Sequence, residues 1–72
     1  MIAKDLIGKE ISEARKALGY WWVISGQQVN GWGIGFYAFT RAGKGRVELC
    51  TDEEGRVKTV WPVDQQIDFP EY

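Results

Sequence analysis

Histidine is absent from these 72 residues, and Cys50 is the single cysteine. Those two facts remove most acid–base, nucleophilic and metal chemistry. A lone thiol without imidazole makes no ligand set for zinc, copper or iron, and it makes no disulfide. The hydroxyls of Ser12 and Ser25 have no base at a spacing that would activate them. Glu53-Glu54 is an acidic pair, but it falls between two β-prone runs, where such residues form a solvated turn. Cys50 lies inside one of those runs and reads as a small buried hydrophobe rather than a reactive thiol. No catalytic residue, metal or cofactor is expected, and the chain reads as a non-enzyme.

Two glycine-rich stretches invite a phosphate-binding reading and fail it. Gly31-Trp32-Gly33-Ile34-Gly35 lacks the third glycine spacing of a dinucleotide fingerprint and precedes no helix. Gly43-Lys44-Gly45 has neither a following Ser or Thr nor a helix, so it reads as a hairpin turn. The run Gly33-Ile34-Gly35-Phe36-Tyr37-Ala38-Phe39 resembles the strand with which RNA-recognition-motif domains stack bases, although Ile34 stands where the first aromatic belongs. Alternating aromatics suit such a platform. A net charge of −1 and a pI near 5.3 supply no field for phosphate backbones, so nucleic acid is kept only as an alternative partner.

What the composition offers instead is apolar surface. Four Trp, three Tyr and three Phe sit in one short chain that is 44% hydrophobic and 26% charged, the composition of a folded domain. A domain this small buries a modest share of its surface and often needs a disulfide, a metal or a partner. With the first two excluded, oligomerisation remains. Met1-Ile2-Ala3-Lys4-Asp5-Leu6 meets an acidic residue before any apolar run develops, so no signal peptide is expected, nor any membrane association. A cytoplasmic location is the expectation.

The elements follow from periodicity. Ile11, Ala14 and Leu18 recur at helical spacing, bordered by Ala17, with Lys9, Glu13 and Lys16 opposite, which predicts a helix over about residues 8–18. Its cap falls at Gly8, Lys9 or Ser12, and Gly19 is placed as its left-handed terminator. After Gly19 the period becomes two. Four strands are predicted over about 20–29, 32–41, 46–51 and 56–61, followed by an extended tail over 62–72. Asn30-Gly31, Ala42-Gly43-Lys44-Gly45 and Asp52-Glu53-Glu54-Gly55 are the turns, and Pro62 ends the last strand. The fold class is α+β, one short helix on an antiparallel meander, in one domain.

A two-residue type I′ turn at Asn30-Gly31 would set Val29 opposite Trp32, Ile24 opposite Tyr37, Val23 opposite Ala38 and Trp22 opposite Phe39. Trp32, Ile34, Phe36, Ala38, Val47, Leu49 and Val23 then form a core face under the helix. The second face receives Tyr20, Trp22, Ile24, Tyr37, Phe39 and Cys50, rimmed by Arg41, Arg46 and Glu48. A bulge at Gly26, Gly33 or Gly35 would shift that parity. The expected partner-binding set is Tyr20, Trp22, Ile24, Tyr37, Phe39, Arg41 and Arg46, exposed as an apolar patch that a second copy or a protein partner covers. The alternative is a tail folded back as a lid through Ile67, Phe69 and Tyr72.

Gly8, Ala14, Leu18-Gly19, Phe36-Tyr37-Ala38-Phe39, Val47-Glu48-Leu49, Asp52-Glu53-Glu54-Gly55-Arg56-Val57 and Val60 are similar in order and spacing to the SmpA/OmlA outer-membrane assembly lipoproteins. The β-lactamase inhibitor proteins share that architecture. The resemblance implies a helix-plus-meander that scaffolds or inhibits a protein partner. The lipoprotein signal and lipobox cysteine of that family are missing, and Glu10 stands where Thr or Ser is usual. Asp5-Leu6-Ile7-Gly8-Lys9-Glu10-Ile11-Ser12-Glu13-Ala14 and Arg46-Val47-Glu48-Leu49-Cys50-Thr51-Asp52 resemble the potato inhibitor I family of serine-protease inhibitors. That resemblance implies an inhibitory loop braced by Arg46, although Glu48 stands at the second bracing position. The function expected first is a non-enzymatic protein-interaction module. A protease inhibitor and a single-strand nucleic-acid binder are the alternatives.

Overall fold

The computed structural model describes residues 1–67. A 3-10 turn over Ala3–Leu6 precedes helix α1 (Ile11–Leu18), and four strands follow: β1 (Val23–Val29), β2 (Gly35–Arg41), β3 (Gly45–Thr51) and β4 (Val57–Trp61). The sheet order is β1-β2-β3-β4 with antiparallel neighbours throughout, so the α+β meander is as expected.

Helix α1 buries the predicted stripe: Ala14 and Leu18 are fully enclosed, with Ile11 and Ala17 packed beside them. Its start is Glu10, without a capping side chain. The sheet takes over that task. Ile11 N donates to Gly55 O at 2.9 Å, while Gly8 N and Val57 N bond across to Val57 O and Lys9 O, both at 2.8 Å. Orphan donors at a helix start need such acceptors. Gly19 ends the helix as expected and at positive φ (75°), but its ψ of −174° is extended rather than that of a left-handed helical residue, and its N–H donates to Arg15 O at 3.1 Å.

Hairpin geometry decides which side of the sheet is the core. The β2–β3 connection takes Ala42-Gly43-Lys44 as three turn residues, since Arg41 pairs with Gly45. The four-residue turn expected from sequence would have placed Val47 and Leu49 opposite in sense to Tyr37 and Phe39. One residue fewer reverses that, because a one-residue slip moves every side chain to the other face. Phe39 sits opposite Val47, Tyr37 opposite Leu49 and Leu49 opposite Val60, and all of them are buried with Leu6, Leu18, Trp22, Val57 and Ile67. The helix, the 3-10 turn and residues 62–67 cover this face.

The first hairpin also departs from expectation. Its turn is not a two-residue Asn-Gly turn but a loop over residues 30–34, with Val29 opposite Gly35. Ser25 is the extra residue of a bulge between Ile24, opposite Phe39, and Gly26, opposite Ala38. The expected partners of Val23, Ile24 and Val29 are therefore corrected, and Trp22 precedes the strand altogether. The part of the lid that the structure describes is realised: Ile67 is 1% exposed and donates its N–H to Met1 O at 2.8 Å. Phe69 and Tyr72 lie outside the described residues.

Candidate functional site

The face first expected to meet a partner is the core. Trp22, Tyr37 and Phe39 are buried and Ile24 is half-buried against them, so these four are corrected from contact residues to packing residues. The indole N–H of Trp22 finds no acceptor among the described residues. Tyr20, Arg41 and Arg46 stay toward solvent. Tyr20 stacks on Trp21 with centroids 4.9 Å apart, and the Arg41 guanidinium lies 5.0 Å from the Trp21 ring centroid. Arg46 makes a loose ion pair with Glu48 at 3.7 Å, an exposed contact worth little.

The outer face carries Val23, Phe36, Ala38, Thr40, Arg46, Glu48, Cys50, Thr59 and Trp61, read from the strand pairing. This face is mixed: Val23, Phe36, Ala38, Cys50 and Trp61 share it with Thr40, Arg46, Glu48 and Thr59. What stays apolar and exposed is local, with Trp61 and Val23 each 62% exposed and Trp32 78%.

At the open end of this face lies a groove of about 470 Å³. Cys50 and Thr59, directly paired, form its floor. Trp32 and Ile34 make one wall, and Asp52 and Glu53 make the other. Lys58, the extra residue in a second bulge where Thr51 pairs with Val57 and Cys50 with Thr59, stands at its edge. A smaller hollow of about 200 Å³, bounded by Gln28, Asn30 and Phe36, shares Ile34 and Cys50 with it.

Both walls are built in advance of any ligand. Asn30 Oδ1 accepts from Trp32 N at 2.9 Å and from Ile34 N at 3.1 Å, and Gly33 N donates to Asn30 O at 3.1 Å. Asp52 Oδ1 does the same for its turn, accepting from Glu54 N at 2.9 Å and Arg56 N at 3.1 Å. Asx side chains that bond the backbone two and four residues on fix such loops. Gly33 has φ 85°, and a Cβ there would come within 3.2 Å of Glu53 O, so the two turns sit against one another. Asn30→Ala is therefore expected to cost about 1–2 kcal/mol for two lost acceptor bonds. It should also broaden the Trp32 indole resonance as the wall loosens, which a two-dimensional NMR spectrum checks.

Sequence reasoning placed Trp32 and Ile34 in the core and read Glu53 only as a solvated tip. The available signal was three glycines in five residues beginning at Gly31, which delays the second strand until Gly35. Among the described residues, no helix is long and apolar enough to cross a membrane. No family model, curated protein or solved structure matches this chain.

Proposed function

We propose that this protein is a non-enzymatic protein-interaction module that receives a segment of a protein partner in the groove between its first and third hairpin turns. The observation that carries the reading is Trp32. A tryptophan 78% exposed, on a loop held by four hydrogen bonds and walling a preformed groove, has no folding role that accounts for its position. Large apolar side chains are costly to leave in water, and rigid aromatic anchors dominate protein interfaces. The outer face beside the groove, with Phe36 and Trp61, extends the apolar footprint.

Trp32→Ala is expected to leave folding unchanged and to weaken partner capture by about 2 kcal/mol, as loss of an interface anchor does. The test is a comparison of wild-type and Trp32→Ala protein as baits in the native host's lysate, with and without nuclease. A protein retained by the first and lost by the second supports the reading. Capture of nucleic acid at physiological salt, or inhibition of a serine protease that survives Trp32→Ala, would replace it with one of the alternatives.

A further inference from the structure

We infer that the groove selects a partner segment presenting an arginine side chain, whose guanidinium stacks on Trp32 and pairs with Glu53. This rests on the protein-interaction reading and names the chemistry of the occupant. The groove is about 470 Å³, ample for one long side chain and its backbone. Its lining carries Asp52 and Glu53 against Lys58 alone, which leaves one net negative charge (two carboxylates, one ammonium). Arg56, the next cation in sequence, points elsewhere: its guanidinium donates to Gly8 O at 3.1 Å and lies 3.8 Å from Glu10.

An indole and a carboxylate lining one groove suit a flat cation better than any other side chain. The ring attracts positive charge over its face, and a guanidinium can stack there while its edge bonds a carboxylate. Lysine offers the charge without the plane. Asp52 Oδ1 is already committed to the backbone of its own turn, so Glu53, with both carboxylate oxygens open among the described residues, is better placed than Asp52 to take a guanidinium edge. The molecule shows the same preference internally. Trp21, also on the surface, takes the Arg41 guanidinium at 5.0 Å, whereas no cation stacks on Trp32 among the described residues. The carboxylates also disfavour phosphate, and Trp32 with Ile34 disfavours a fully hydrated ion.

Panning a random displayed heptapeptide library on the immobilised full chain tests this. Arginine is expected to be enriched at one position of the selected sequences. In a synthetic copy of a selected peptide, replacing that arginine by citrulline, which keeps the plane and removes the charge, should weaken binding about tenfold. Glu53→Lys should weaken it to a similar degree, and Trp32→Ala should do at least as much. Both positions are exposed, so circular dichroism should confirm unchanged folding. Peptides that need Trp32 but tolerate citrulline would overturn the arginine assignment and leave the interaction module standing. An absence of selected peptides, or peptides indifferent to Trp32→Ala, would overturn both.

Discussion

Phe39→Ala is expected to remove about 3–5 kcal/mol of stability, the usual cost of emptying a buried aromatic site. A domain of this size holds on the order of 4–10 kcal/mol in total, so the variant should lose a large share of its stability and, at the lower end of that range, unfold at room temperature. Phe39 is 3% exposed, pairs across the sheet with Val47 and Ile24, and packs in the cluster that contains Leu18 and Trp22. Val47, Ile24 and Leu18 cannot collapse into the hole without dragging a strand or the helix. Trp61→Ala is the matched control. It deletes a larger side chain from the outer face at 62% exposure and should change stability by no more than about 1 kcal/mol. Urea unfolding followed by far-ultraviolet circular dichroism measures both. Similar losses from the two substitutions would mean that the faces of the sheet are assigned the wrong way round.

That pair of variants bears on what could be read from residue order. The helix was legible because Ile11, Ala14 and Leu18 mark a period that no strand shares, with Gly19 at its end. Strands β3 and β4 were legible to within a residue, because Asp52 and Gly55 specify their turn through an Asx acceptor and a left-handed glycine at φ 81°. The grouping of Ile24, Tyr37 and Phe39 on one face also followed from alternation.

The sense of that face did not follow. Ala42-Gly43-Lys44-Gly45 admits a turn of three residues or of four, and the two glycines, at φ 80° and 109°, make the shorter one accessible. Nothing local distinguishes them. The choice is made by burial, since only the shorter turn gathers Tyr37, Phe39, Val47 and Leu49 under the helix. The groove was hidden for a related reason. Asn30-Gly31 reads as a two-residue turn unless the Asn30 side chain is seen to hold the backbone as far as Ile34. Aromatic density therefore points to the wrong face, because the structure uses Trp22, Tyr37 and Phe39 for packing.

The close approach at Gly35 gives the second large effect. A Cβ built there would lie 2.6 Å from Tyr37 Cε2, 2.8 Å from Thr51 Oγ1 and 2.9 Å from Tyr37 Oη. The phenol ring thus covers the backbone of Gly35, and Gly35 N donates to Thr51 Oγ1 at 2.9 Å in a buried bond. Neither neighbour is free to give way, because Tyr37 is 8% and Thr51 2% exposed. In an unconstrained strand, glycine to alanine gains about 0.5–1 kcal/mol by restricting the unfolded chain. At Gly35 the sign should reverse, with overpacking costing about 2–3 kcal/mol. Gly26→Ala supplies the contrast on the neighbouring strand: its Cβ would meet Ala38 Cβ at 3.7 Å, an ordinary contact, and stability should hold or rise slightly. Gly35 also bounds the smaller hollow beside the groove, so a shift of its backbone should disturb Ile34 and Cys50 as well. Chemical denaturation read together with the amide shifts of residues 30–34 tests both consequences. If Gly35→Ala proved as stable as Gly26→Ala, with those shifts unmoved, Tyr37 could not be lying over Gly35, and the packing that joins core to groove would need to be redrawn.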